Sequence, residues 1–100
     1  MIIVVGYQKV RQGKWDELAE YTKRWDALEK RLGFPPEKRY RCMFGSHDSD
    51  TSLGLHEWEN MAAMEADFER GMADPEWQEL MASFSEFYAD GQWELYTETP

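Results

Sequence analysis

His56 and Trp58, in the stretch SLGLHEWEN at residues 52 to 60, are the first residues whose types and spacing suggest chemistry. In a strand they point to one side, because side chains alternate faces with period two, while Leu53, Leu55 and Glu57 point to the other. An imidazole titrates near neutrality and can move a proton within an enclosed space, and a neighbouring indole supplies a flat apolar wall. Arg39 and Arg41 are cations able to hold an enolate, phenolate or carboxylate as charge grows on oxygen. Glu94 and Tyr96 can orient the imidazole or donate a hydrogen bond if the last strand lies near it. The expected site therefore has His56 as base and Arg41 as oxyanion partner. Trp58, Tyr96, Glu94, Met43, Arg39 and Tyr7 form the expected substrate-binding surface. A structural reading uses the same residues: His56 bonded to Glu94 or a backbone carbonyl, Arg41 paired with a carboxylate across a dimer, and Trp58 filling an interface.

Other chemistries find no support. Glycine-rich phosphate loops, paired cysteines and a nucleophile elbow are absent from the sequence. His47 lies in SHDSD beside Asp48 and Asp50, but the spacing matches neither a calcium loop nor a zinc pattern, so no metal and no cofactor are expected. Twenty acidic against eleven basic residues give a formal charge of -9, which repels nucleic-acid phosphates and anionic membrane surfaces. Cys42 is the only cysteine and cannot form an intramolecular disulfide. A cytoplasmic location is expected, with Cys42 as a small buried thiol. The opening MIIVVGY is too short to span a bilayer and lacks the flanks of a signal peptide, so it reads as a first strand.

The elements that must position these residues follow from periodicity. IIVVGYQKV, residues 2 to 10, is a strand rich in β-branched residues. From Lys14 to Leu32, apolar side chains at Trp15, Leu18, Thr22, Trp25, Leu28 and Leu32 advance by three and four, a helix stopped by Gly33 and the following FPP. KRYRCMFGS alternates with period two, HDSD turns the chain, and TSLGLHEW returns as the second arm of a hairpin. Asn60 caps a helix from Met61 to about Gly71; Asp74 and Pro75 open another, with a stripe of Trp77, Leu80, Met81, Phe84, Phe87 and Tyr88. QWELY forms the last strand. The order predicts an α+β, ferredoxin-like β-α-β-β-α(α)-β fold occupying residues 1 to 100 as one domain, a four-stranded antiparallel sheet with helices on one face.

Tyr40, Cys42 and Phe44, Leu53 and Leu55, and Trp93 and Leu95 are the plainly apolar alternate sets, and these are expected to meet the helices. The opposite sets, including Arg39, Arg41, Met43, His56, Trp58, Glu94 and Tyr96, then form a bare face too apolar to stay in water. A second copy is the simplest cover, giving a homodimeric barrel with an interior cavity.

HEWEN at the end of the third strand and ADPEWQELM opening the last helix resemble the dimeric α/β-barrel superfamily, in its NIPSNAP-like and antibiotic-biosynthesis-monooxygenase-like branches. The similarity covers almost the whole chain, although the family often has Tyr where Asn60 stands. The superfamily contains cofactor-independent monooxygenases, haem-degrading enzymes, cyclases, isomerases and members without assigned activity. The resemblance implies a small homodimer binding a hydrophobic or aromatic molecule, as a cofactor-independent monooxygenase or a proton-transfer enzyme. The alternative it implies is a non-catalytic structural or stress-associated dimer, its interior filled by its own side chains.

Overall fold

The computed structural model describes residues 1–100. The elements run β1 (Ile2–Val10), α1 (Trp15–Leu32), β2 (Lys38–Arg41), β3 (Thr51–Trp58), α2 (Met61–Ala73), α3 (Pro75–Ala82), α4 (Phe84–Phe87) and β4 (Tyr88–Thr97). The strands form one antiparallel sheet in the order β2-β3-β1-β4, the ferredoxin-like α+β arrangement. The molecule is a thin slab of 39 × 37 × 17 Å, one sheet and one helical layer deep. No helix is long and apolar enough to cross a membrane.

The helix boundaries obey local chemistry. Gly33 ends α1 in the left-handed region at φ 82°, where a Cβ would be strained. The Asn60 side chain accepts the Ala63 amide, and Asp74 accepts those of Glu76 and Trp77 ahead of Pro75. The long stripe after Pro75 does not stay helical. Ser83 closes α3, α4 is a single turn, and Tyr88 enters β4 opposite Val10. The Arg11 amide bonds the Phe87 carbonyl, so pairing with β1 takes over where helical spacing would have continued. The first arm of the hairpin is also shorter than its alternation predicts. It stops at Arg41, and Met43 and Phe44 stand almost wholly in solvent. Cys42 is half-buried with its sulfur at the His47 carbonyl, rather than against a helix.

Two apolar clusters bind the layers. Val10, Leu18, Tyr21, Leu28, Leu80 and Tyr88 form one, ringed by Trp15, Trp25, Trp77, Phe84 and Phe87. Ile2, Phe34 and Trp58 form the other, flanked by Val4, Met64 and Phe68. The second cluster corrects the expected assignment of faces. His56 and Trp58 point into the helical layer, with Val4 and Ile2 opposite them on β1, and Arg39 joins that side through Asp26 of α1. Leu53, Leu55 and Tyr40 therefore lie on the open face beside Val5 and Tyr7. Only β4 keeps its expected orientation, with Trp93 against Phe84 and Tyr96 on the open side. Both faces of β3 are half apolar, so its own pattern does not distinguish them. Polar partners on the helices do.

Leu80 is completely buried where the two layers meet. Leu80→Ala is expected to cost about 2–5 kcal/mol, the lost transfer energy plus a cavity, read as a lower urea midpoint at unchanged slope.

Candidate functional site

Glu29 is a carboxylate on the inward side of α1, buried with Leu28. Such a group needs a hydrogen-bond donor, because an unpaired charge in an apolar layer is costly. His56 meets that need across the layer, its Nε2 lying 2.9 Å from Glu29 Oε2. Donation from a neutral imidazole to an ionised Glu29 places the proton on Nε2 and leaves the lone pair on Nδ1, an assignment that follows from the chemistry of the pair. No protein group bonds Nδ1, and it is not sealed from solvent, since Trp15 Nε1 is the one buried side-chain polar atom without a partner. The imidazole stacks on Trp58 at 5.1 Å between centroids. Trp58 is itself fixed by its indole N–H donating to Asp67 of α2 at 2.7 Å, and Arg70 donates to Asp67 and to the Leu32 carbonyl.

A second carboxylate reaches the same imidazole from the segment between α1 and β2. Glu37 Oε2 lies 3.9 Å from His56 Nε2 and accepts from Arg39 at 3.1 Å, while Arg39 also donates to Asp26 at 2.7 Å. Gly54 makes this possible: a Cβ there would collide with the Glu37 carboxylate. Burial pushes the Glu37 carboxyl above the usual carboxylate range, against the pull of Arg39 and His56. Burial alone would lower the Arg39 guanidinium, but Glu37 and Asp26 more than offset it and hold it above its ordinary value. Glu29, Glu37 and His56 each offer a donor atom within 4.8 Å of the others, a cluster of the kind that can hold a metal ion.

This cluster lies along a cleft of about 570 Å³ between the sheet and the helices. Trp25, Phe68, Trp77, Phe84, Trp93 and Leu95 make its walls mainly apolar. The size suits a small organic molecule. The cleft is thus inside this chain's own fold, on the side opposite the bare sheet face.

Of the residues singled out from the sequence, His56 and Arg39 line the cleft and Trp58 backs His56, while the Glu94 side chain shares the open face with Tyr96 and Val5. The others lie elsewhere. Arg41 lies over the Trp15 ring at 4.1 Å and donates to the Ser49 carbonyl. Tyr7 and Tyr96 are on the open face, Tyr7 stacked on His47, and Met43 is in solvent. Sequence reasoning missed Glu29 and Glu37. Glu29 did leave a signal: it falls four residues after Trp25 and three before Leu32, a carboxylate in the apolar stripe of α1.

No protein-family model matches the chain, and no curated protein matches it in sequence. Solved structures do match in fold. A NIPSNAP family protein from Agrobacterium tumefaciens superposes with a TM-score of 0.79 at 13% identity, over 98% of this chain and 85% of its own. An antibiotic biosynthesis monooxygenase superposes at 0.72 with 14% identity, covering 100% of both chains. SnoaB, a cofactor-independent oxygenase from Streptomyces nogalater, superposes at 0.72 with 15% identity, over 99% of this chain and 93% of its own. The fold is therefore the ferredoxin-like one shared by NIPSNAP and antibiotic-biosynthesis-monooxygenase proteins, the group that HEWEN and ADPEWQELM resemble.

The raised pKa of Glu37 has a measurable sign. Its folded pKa lies above the unfolded one, so its contribution to stability is complete below the unfolded pKa and is lost as pH rises through the folded pKa. Glu37→Gln removes that titration. Its stability relative to the parent chain is expected to improve as pH rises from about 4, followed by urea denaturation.

Proposed function

We propose that this protein is a homodimeric proton-transfer enzyme acting on a hydrophobic, aromatic small molecule held in the cleft. The observation that carries the reading is the His56–Glu29 pair at 2.9 Å on the wall of an apolar, ligand-sized space. His56 Nδ1 removes a proton from an acidic C–H or O–H of the substrate, and Glu29 fixes the tautomer and stabilises the imidazolium that forms. Trp58 holds the ring plane, and the aromatic walls exclude water from the carbanion or phenolate. Such a carbanion either takes a proton back at another atom, giving isomerisation or cyclisation, or passes an electron to dioxygen. The fold shared with a cofactor-independent oxygenase supports the second fate as a variant of the first. Arg41 has no part in this scheme, since its guanidinium is engaged with Trp15 and Ser49.

The dimer rests on the other face. Ile3, Val5, Tyr7, Tyr40, Leu53, Leu55 and Tyr96 share the side of the sheet that carries no helix, an apolar surface of the kind a second copy covers. Light scattering on the parent chain is expected to give twice the subunit mass, and Leu55→Glu to give a monomer.

Exchange of the acidic C1 protons of 2-tetralone into deuterated water, followed by NMR, tests the chemistry. The parent chain is expected to accelerate it over buffer, with His56→Ala losing about 10²–10⁴-fold of that rate while keeping its circular dichroism. Exchange that the parent does not accelerate, or that His56→Ala leaves intact, removes His56 from the role of base.

A further inference from the structure

The charge inside the cleft is one-sided. Arg39 is the only lysine or arginine on its walls, and its guanidinium is already committed to Asp26 and Glu37. Glu29 and Glu37 each bond through one oxygen, Oε2, and leave Oε1 without a hydrogen bond. Neither Oε1 is a sealed atom, because Trp15 Nε1 is the one buried side-chain polar atom lacking a partner. With Asp26 counted, three carboxylates share one guanidinium and one imidazole, so with its acids ionised the cluster is net negative in either protonation state of His56. An anionic ligand would therefore meet carboxylates and no free cation.

The walls suit the opposite charge. Trp93 lies flat on the sheet because Gly6 and Gly91 leave it room. A Cβ at Gly6 would stand 2.8 Å from its Nε1, and one at Gly91 would stand 2.6 Å from its Cη2. The indole stays half exposed while lining the cleft. Trp25 and Trp77 meet edge to face at 4.8 Å elsewhere on the lining. Indole faces carry negative electrostatic potential and attract cations, most strongly where water is excluded. Carboxylate oxygens without hydrogen bonds and tryptophan rings in one apolar cleft are the two recognition elements of an organic ammonium ion.

We propose that the cleft selects an arylalkyl amine, in its ammonium form, over the carboxylate of the same shape, an inference resting on the reading of the cleft as a small-molecule site. The ring occupies the space among Trp25, Trp77, Phe84 and Trp93, and the ammonium group donates to Glu29 and Glu37. Burial supports this: a Glu37 carboxyl pushed toward its protonated form is one that an incoming cation relieves.

Three probes with one ring system test the inference by calorimetry on the parent chain: 2-naphthylmethylammonium, 2-naphthylmethanol and 2-naphthoate. The ammonium is expected to bind about tenfold or more tightly than the carboxylate, with the alcohol between. Glu37→Gln should narrow that ratio several-fold and leave the alcohol unchanged. Equal binding of all three, or a preference for the carboxylate, overturns the charge inference while leaving the small-molecule cleft in place. Failure of all three to bind overturns both. Displacement of the ammonium by stoichiometric Mn²⁺ also overturns it, since Glu29, Glu37 and His56 would then be metal ligands rather than an ammonium site.

Discussion

A carboxylate placed inside an apolar layer constrains everything packed against it. Glu29 occupies the inward side of α1, where the neighbouring positions are Leu28 and Leu32, and its burial is tolerated only because a donor meets it from the sheet. That requirement determines which way β3 faces. With His56 turned to Glu29, Trp58 two residues on must also enter the helical layer, and its indole N–H then needs an acceptor, which Asp67 of α2 provides. Arg70 completes the sequence by binding both Asp67 and the carbonyl of Leu32 at the end of α1. Two buried acids, Glu29 and Asp67, thus link α1 and α2 to the sheet through hydrogen bonds as well as through apolar contact. The apolar residues of β3 that remain, Leu53 and Leu55, are left on the uncovered face.

Charge and shape in the cleft share an origin. Glycine at position 54 lets the Glu37 carboxylate lie against the sheet, and glycines at 6 and 91 let the Trp93 indole do the same. Close approach to the backbone at these positions, rather than unusual dihedral angles, is what excludes a side chain; their φ values are not positive. The result is a space with a flat aromatic wall and a polar cluster whose charges are paired in part and excessive in sum. Such a cluster is poorly arranged for stability alone, because buried ion pairs seldom repay their desolvation. It is well arranged to hold a proton donor or a cation.

Much of the fold was legible from residue pattern. The spacing from Trp15 to Leu32, the Asn60 cap and the Asp74-Pro75 start each act within a few residues, so the chain carries them locally. The site was legible in part. His56 and Arg39 were visible as types, and Glu29 was detectable as an acid in an apolar stripe. Glu37 was not, since no periodicity governs the segment after the two prolines and its position depends on contact with Gly54. Arg41 shows the reverse error. Its alternation with Arg39 placed both on one side of β2, correctly, but two strand positions separate a cleft wall from the Trp15 ring.

Sequence by itself determined the element order, the helix starts at Asn60 and Asp74, the end of α1 at Gly33 and the existence of a half-apolar sheet face left without helices, because caps, breakers and period-two alternation are short-range effects. Tertiary structure alone decided which face of β2 and β3 is inward. Each face of those strands mixes apolar and polar groups, so burial by itself is nearly balanced between them. The balance is settled by acids that arrive from α1, α2 and the segment before β2, groups distant in the chain and opposed only once the layers pack.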